Sequence, residues 1–328
     1  MAPGPVSTTP AVSVVVCTYN RPLLLEATLR SCLANATRHD LPYEIVVADN
    51  SPSGHAPAVV AKLPPAEAPI RCVPSHPPNI SIARNAGLRA ARAPLVAFLD
   101  DDLEVEPGWL DALHATIIGA GTDGVIGGLV PVFDGGAPPD WDPSASRFTR
   151  VCGLPDGAPI APEGLLRPAG VTFATANSIW RAATCFMDEE PYAPRFGVSG
   201  GEDFDLSLRL HRRGRSFAWC AAPPVRETIP LQRQDLRYQL RRAFSGGQVY
   251  AGVVIHNAPA KFAAALPVMA AGLAQGVVHG LVALACWPAG RFSAAARLIA
   301  ARQGVTALSG FGKLLWWRLV RLYHTERG

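Results

Sequence analysis

The sequence lacks the cysteine patterns of a structural zinc site or a disulfide framework. Its seven cysteines are an odd number at scattered spacings, and no two of them form a Cys-x-x-Cys pair. We therefore expect reduced, mostly buried thiols in a cytosolic protein. Residues 1–10 also lack the basic and apolar stretches of a secretory signal, which predicts a short disordered leader.

Acidic residues are almost missing from the last quarter of the chain. Residues 243–328 contain eight basic residues and one acid, Glu326, although the net charge of the whole chain is only +4. The uneven distribution favours an anionic membrane surface as a partner. We expect no nucleic-acid partner.

Charge is absent altogether from positions 262–290, a stretch longer than the ~20 residues that cross a bilayer. Pro267 and Gln275 interrupt it, so a tilted span, a re-entrant hairpin and a buried helical pair all remain open. Residues 291–321 alternate basic and apolar side chains and end near two tryptophans, which is typical of an interfacial amphipathic helix. Residues 231–328 are thus predicted to form a basic and apolar, membrane-associated helical region.

Short apolar runs alternate with helical segments in the first hundred residues. The runs cover residues 12–17, 44–48, 70–73 and 95–99, and each is nearly continuous in apolarity, like a strand buried on both faces. This alternation predicts an α/β domain over residues 11–230, with a mostly parallel central sheet flanked by helices.

The second half of that domain gives weaker signals. Residues 133–170 are rich in glycine and proline without periodicity, which predicts a functional or mobile loop. A strand is expected over residues 125–132, a helix over 203–213 that ends before Gly214, and a basic helix over 231–244.

Three consecutive acids, Asp100, Asp101 and Asp102, follow the fourth apolar run. Side chains i and i+2 of an extended chain face the same side, so Asp100 and Asp102 can converge on one cation. Ligands of open α/β sheets collect at the carboxyl ends of strands. Mg²⁺ or Mn²⁺ held there would complete its shell with water and substrate phosphates. The pattern therefore indicates a metal-bound diphosphate, and a solvated acidic turn is the alternative.

Five segments together resemble the family 2 glycosyltransferases, which have a GT-A fold. They are VVVCTYNRP at 14–22, EIVVADNSPSG at 44–54, IARNAG at 82–87, the Asp-x-Asp strand, and GGEDFDLSLRL at 200–210. Their order and spacing agree with that family over residues 12–220. The resemblance implies a bacterial-type GT-A domain that uses a nucleotide-diphosphate sugar, with a C-terminal helical extension.

The resemblance also implies roles for single residues. The implied donor-binding residues are Thr18, Tyr19, Asn20, Arg21, Asp49, Arg84, Asp100 and Asp101. Thr18 would offer a hydroxyl to the nucleotide, and Tyr19 a flat face to the base. Asp49 would accept the base N–H that uracil presents and cytosine does not, which favours a UDP-linked donor. Arg84 would supply a hydrogen bond or charge, and Asp102, with Asp100, would hold the metal ion.

Each of these roles has a structural alternative. Tyr19 can be an ordinary core aromatic, Asp49 can cap a turn at Ser51 and Ser53, and Arg84 can be a helix-surface charge.

Asp203 is the candidate general base, because the positive end of the helix that starts there keeps a carboxylate ionised. Glu202 is expected to orient the acceptor or cap the helix, and both acids can also be read simply as caps. One base without a second nucleophilic carboxylate predicts inversion at the anomeric carbon.

The expected activity is transfer of a sugar from a nucleotide-diphosphate donor to a hydroxyl of a lipid-linked or cell-envelope glycan, at the cytoplasmic face of the plasma membrane. A small-molecule or protein acceptor is the alternative. A sugar nucleotidyltransferase is disfavoured, because Thr18-Tyr19-Asn20 stands where that class needs a glycine-rich, basic phosphate loop. A membrane-bound nucleotide-binding scaffold without turnover is the non-enzymatic alternative.

Overall fold

The computed structural model describes residues 9–38, 41–163 and 173–317. Most of the leader predicted at residues 1–10 therefore lies outside the described residues. The same holds for the end of the loop predicted at 133–170, from residue 164 on, and for the part of the predicted interfacial helix after residue 317.

A mixed sheet with strand order β3-β2-β1-β4-β8-β6-β9-β5 forms the centre of the fold, and β7 pairs with β9. The strands are β1 (Val12–Thr18), β2 (Tyr43–Asp49), β3 (Ile70–Pro74), β4 (Leu95–Asp100), β5 (Leu103–Glu104), β6 (Gly124–Phe133), β7 (Pro159–Ile160), β8 (Ser178–Arg181) and β9 (Phe217–Ile229). The four strands expected in the first hundred residues are confirmed to within one residue at each end. They pair in parallel, whereas β8 runs antiparallel to both β4 and β6.

Helices pack on both faces of the sheet. The α-helices are α1 (Pro22–Asn35), α2 (Ala56–Val60), α3 (Ile80–Ala90), α4 (Trp109–Ala120), α5 (Ala182–Cys185), α6 (Glu202–Arg212), α7 (Leu231–Gln234), α8 (Leu236–His256), α9 (Lys261–Ala289) and α10 (Ala294–Leu314). Alternate residues of β1 face opposite sides: Val14 packs into one core cluster and Val15 into the other, as the two-residue period of a strand requires.

Gly87 lets α3 lie directly on β1. A Cβ atom at this position would overlap the side chain of Val15, so only glycine permits this close helix-to-strand packing. The glycine of the IARNAG segment thus has a structural cause that is independent of ligand binding.

The chain divides into two compact units. One comprises Met1–Val130, Arg150–Pro194 and Leu206–Glu227, and contains most of the sheet. The other comprises Pro131–Thr149, Arg195–Asp205 and Thr228–Gly328. A boundary at residue 230 does not reproduce this division, because two earlier segments belong to the same unit as the C-terminal helices.

The helix predicted over residues 231–244 is divided in two at Asp235. This residue is extended, with φ −65° and ψ 134°, and its side chain accepts a hydrogen bond from the backbone N–H of Tyr238 at 3.0 Å. Asp235 is thus the N-cap of α8, and the short helix α7 ends before it.

The uncharged stretch forms one continuous helix, α9, although Pro267 and Pro288 lie inside it. Among the described helices, α9 is the one long and apolar enough to cross a bilayer. The following helix, α10, packs against both α8 and α9.

Candidate active site

The carboxyl ends of three neighbouring parallel strands bring the predicted donor-site residues to one edge of the sheet. In the strand register Thr18 stands opposite Asp49, and Cys17 stands opposite Asp100. This is the edge where open α/β sheets bind ligands. The order β2-β1-β4 therefore unites segments that are about thirty to eighty residues apart in sequence.

Asp101 turns inward, away from the open edge. Its carboxylate accepts a hydrogen bond from the Thr18 hydroxyl at 2.8 Å and another from Arg21 Nη1 at 3.1 Å. The Thr28 hydroxyl donates to the backbone carbonyl of Asp101 at 3.0 Å. Asp101 therefore joins the loop after β1 to the end of β4.

The environment of Asp101 favours its protonated form. Burial raises the pKa of this carboxyl to about 7, with a further rise from the charges of Asp102 and Asp100, although Arg21 and the hydrogen bond from Thr18 act in the opposite direction. The three acids thus divide between one buried carboxyl and two that lie nearer the solvent.

Arg21 is shared between two of the acids. Its Nη1 atom lies 3.1 Å from Asp101 Oδ1 and 3.2 Å from Asp102 Oδ2. The neighbouring Asn20 has a left-handed backbone with φ 52°, and its N–H donates to the Ser51 hydroxyl at 2.9 Å. Tyr19 is only half buried, so it is not an ordinary core aromatic.

Arg84 lies beneath the site, not on the protein surface. Its side chain is 4% exposed, with Nη2 3.5 Å from Asp100 Oδ1 and the guanidinium over the ring of Tyr192. The surface-charge alternative for Arg84 is therefore excluded. Asp100, at 38% exposed, is the most accessible of the three acids.

Asp49 caps the turn that follows β2. Its Oδ1 accepts the N–H of Ser51 at 3.0 Å, and its Oδ2 accepts the N–H of Ala56 at 2.7 Å. Asp49 therefore caps the turn at Ser51, as the structural alternative predicted. Its second partner is Ala56 and not Ser53. Its contact with a nucleotide base stays a prediction.

Sequence reasoning missed His55. Its Nε2 atom lies 3.3 Å from the Thr18 hydroxyl, and its Nδ1 lies 3.7 Å from Asp49 Oδ1. His55 thus bridges two predicted donor residues. Its position directly after the EIVVADNSPSG segment was the available signal.

Asp102 and Asp100 fit a hard divalent cation. Such ions take carboxylate oxygens and are commonly held by one or two of them, with substrate phosphates and water as the other ligands. No group of three or more His, Cys, Asp or Glu side chains suited to a metal is present among the described residues. Any ion here would consequently depend on the diphosphate for part of its shell.

Glu202 and Asp203 begin α6, after two glycines with positive φ, Gly200 at 82° and Gly201 at 98°. Glu202 is buried, whereas Asp203 is partly exposed. This difference in accessibility suits Asp203, and not Glu202, for contact with a substrate hydroxyl.

Helix α8 holds this segment in place. A Cβ atom at Gly201 would overlap Val249, and Phe204 stacks on Tyr250 with the ring centroids 5.4 Å apart. Asn257 donates to Asp205 Oδ1 at 2.8 Å. The candidate base is thus part of the same compact unit as the C-terminal helices.

The chain is similar to known proteins over the region that contains the candidate donor site. Residues 13–161 match the model of glycosyl transferase family 2. The succinoglycan biosynthesis protein ExoM of Rhizobium meliloti is 32% identical over 249 residues, which cover 75% of this chain and 76% of ExoM.

Two further matches differ in coverage. A validoxylamine A glucosyltransferase of Streptomyces hygroscopicus subsp. limoneus is 30% identical, and the match covers 65% of this chain but only half, 50%, of that protein. The crystal structure of S. aureus TarS 1-349 in complex with UDP-GlcNAc superposes with a TM-score of 0.50 and 16% identity, covering 74% of this chain and 71% of the other. This structural likeness supports the GT-A-like fold. The matches to the family model and to ExoM, the latter along most of both chains, show that the protein belongs to glycosyl transferase family 2.

Proposed function

We propose that this glycosyltransferase is an inverting, divalent-metal-dependent enzyme that takes its sugar from a UDP-linked donor. The observation that carries the proposal is the sheet register, which places Asp49 opposite Thr18 and Asp100 opposite Cys17 at adjoining strand ends, with Asp102 two residues after β4 ends. A nucleotide lying across these strand ends would meet hydrogen-bonding groups at its base and carboxylates near its diphosphate.

The residues at this edge have distinct chemical tasks. Asp102, with Asp100, would hold Mg²⁺ or Mn²⁺, which supplies Lewis-acid stabilisation of the charge on the departing diphosphate. Arg84 places a positive charge 3.5 Å from Asp100, within reach of the edge where the diphosphate would lie. Asp101 fixes Thr18 and Arg21 and thereby the course of the donor loop.

Asp203 would remove the proton of the acceptor hydroxyl. A positioned carboxylate contributes typically 10²–10⁴-fold to such a step, and Asp203 lies in the first turn of α6. Direct attack by the acceptor, without a covalent enzyme intermediate, inverts the configuration at the anomeric carbon.

We propose a glycan or lipid-linked acceptor, reached at the cytoplasmic face of the plasma membrane. The name of ExoM, a succinoglycan biosynthesis protein, supports this acceptor class, and the apolar helix α9 supports the location. A small-molecule acceptor is the second candidate, because the Streptomyces relative is named for its action on validoxylamine A.

The test is transfer by the purified protein from a panel of nucleotide sugars, with and without EDTA, to glycan and small-molecule acceptors. In the Asp203→Asn variant we expect kcat to fall by about 10²–10⁴-fold, with donor binding unchanged in calorimetry. Glu190→Gln, an exposed acid outside the site, is the matched control.

NMR of the product gives the anomeric configuration, and retention would refute the inverting mechanism. Unchanged transfer by Asp203→Asn would remove the base assignment. Full activity in EDTA would remove the metal.

A further inference from the structure

Helix α9 exposes a continuous apolar face. Phe262 is 82% exposed, Leu284 70% and Trp287 69%. From residue 262 to 289, every exposed position of the helix carries an apolar side chain. Such a large exposed apolar surface marks an interaction site.

The polar side chains of α9 face inward. Gln275 donates to the carbonyl of Thr306 at 2.8 Å and accepts from Lys313 Nζ at 2.7 Å. His279 is hydrogen-bonded to Gln303. The polarity of α9 is therefore the reverse of that of a helix at the surface of a water-soluble domain.

α10 ties α9 to the rest of its unit, so α9 is not a detached helix. Gly276 of α9 lies against the ring of Phe311. On the other side of α10, a Cβ atom at Gly312 would overlap the carbonyl of Phe244 in α8. To cross a bilayer, α9 would have to leave these contacts or to take the charged residues of α10 into the membrane with it. A position in the plane of the membrane surface keeps them all.

An ion pair with a buried carboxylate also fixes α10. Arg302 Nη2 lies 3.0 Å from Asp142 Oδ1, and Asp142 is fully buried. The basic residue in the middle of α10 thus binds within the protein. That residues 291–321 form an interfacial helix stays a prediction. α10 packs against α8 and α9, whereas the apolar side chains of Phe262, Leu284 and Trp287 in α9 are exposed.

Charge distinguishes a membrane from a second copy of the chain as the occupant of this face. Lys261 is the first residue of α9, and Arg291 lies two residues beyond its last residue. Both side chains are exposed. No acid occurs between Asp235 and Glu326. Two copies paired through α9, parallel or antiparallel, would bring like charges together, whereas anionic headgroups would complement both ends.

We propose that the apolar face of α9 docks in the plane of an anionic lipid bilayer, with Lys261 and Arg291 on the headgroups. The unit that docks also holds Gly201 to Asp205 against α8. Docking therefore brings the candidate base to the membrane surface, where a lipid-anchored acceptor is presented. This last consequence rests on the proposed function, whereas the docking does not.

The test is sedimentation of the full-length protein with vesicles of phosphatidylcholine, with and without phosphatidylglycerol. Replacing Leu281, Leu284 and Trp287 by serine is expected to weaken binding at least about tenfold, because buried apolar area drives interfacial binding. The matched control replaces three exposed apolar residues elsewhere, Leu23, Ile118 and Met187, and is expected to bind like the wild type.

The charged ends have a separate test. The double variant Lys261→Gln, Arg291→Gln is expected to lose the preference for phosphatidylglycerol while keeping its weaker binding to phosphatidylcholine. Equal binding of wild type to both lipids would overturn the role of charge.

The in-plane orientation is tested by quenching with brominated lipids. Quenching is compared for Phe262→Trp, Leu273→Trp and the native Trp287, each against the protein with phenylalanine at that position. All three tryptophans are expected to lie at one shallow depth. A deep position 273 with shallow ends would show a span and overturn the proposal.

Two further outcomes would also overturn it: wild type that ignores all vesicles, or a dimer in sedimentation velocity that the serine variant abolishes. Neither outcome depends on Asp203. If instead Asp203→Asn retains transfer while vesicle binding behaves as expected, the base assignment fails and the docking stands.

Discussion

The parallel strands of the sheet and the C-terminal helix α9 place their apolar and polar side chains in opposite ways. In the sheet, apolar residues such as Val14 and Val15 face the two cores, and charged groups gather at the strand ends. In α9 the apolar residues face outward, and Gln275 and His279 face the neighbouring helix. Because the hydrophobic effect acts on both regions, this difference indicates that the two regions have different surroundings.

The consequences of substitution should differ accordingly. At the sheet edge, the proposed roles of the side chains are to bind the donor and the metal, so substitutions there are expected to change activity more than packing. Between α8, α9 and α10, glycines let backbones approach closely, so that the absence of a side chain determines the structure. Substitutions at the sheet edge should therefore change activity, and substitutions of the helix glycines should change stability.

The largest expected effect is on activity, at the sheet edge. We expect Asp102→Asn to lower kcat by roughly a thousandfold (~4 kcal/mol) through loss of a metal ligand, with the thermal unfolding midpoint nearly unchanged. Steady-state kinetics and a melting curve measure the two. Glu26→Gln, in an exposed pair with Arg30, is the control. A loss of less than threefold would show that Asp102 does not hold the ion.

The next effect is on stability, between the helices. We expect Gly312→Ala to lower the free energy of unfolding by about 1–3 kcal/mol, because its Cβ would overlap the carbonyl of Phe244. Gly252→Ala in α8, where the new Cβ meets open space, should raise it by about 0.5–1 kcal/mol. Urea denaturation measures both. Equal effects of the two variants would contradict the close packing of α8 and α10.

The third effect is a pH dependence at the sheet edge. An unfolded aspartate has a pKa of about 3.9, and burial raises that of Asp101 to about 7. Between these values the folded state binds more protons, so stability should fall as pH rises from about 4 to 7, by at most about 1.4 kcal/mol per pH unit, and level off above.

Urea denaturation between pH 5 and 8 tests this slope. Asp101→Asn should remove it, and Glu67→Gln, at an exposed acid, should leave it. Wild-type stability that increases from pH 5 to 7 would contradict the prediction.

The parallel half of the sheet could be predicted because each of its strands is a local apolar run. Once β1, β2 and β4 are adjacent, the meeting of Thr18, Asp49 and Asp100 follows. The strand β4 ends at Asp100, and residues 101 and 102 lie in a turn. The alternation of an extended strand therefore does not decide where Asp101 and Asp102 point, and Arg21 contacts both. The antiparallel strands β6 and β8 were harder, because an apolar run does not encode strand direction.

Long-range contacts account for what the sequence could not show. His55 meets Thr18 only through strand pairing, and Gly201 meets Val249 through helix packing. No local pattern encodes either contact. The reversed polarity of α9 was equally hidden, since an uncharged stretch does not tell which of its faces is covered.

The packing of α10 on α8 bears on how a water-soluble form of this enzyme should be made. Cutting the chain before α9 would also remove α10 and uncover the side of α8 where Phe244 and Gly247 lie. Because α8 supports the residues around Gly201, the shortened protein would lose support for the segment that holds the candidate base. Polar replacements on the outer face of α9 are the better route to soluble enzyme, since they leave every helix in place.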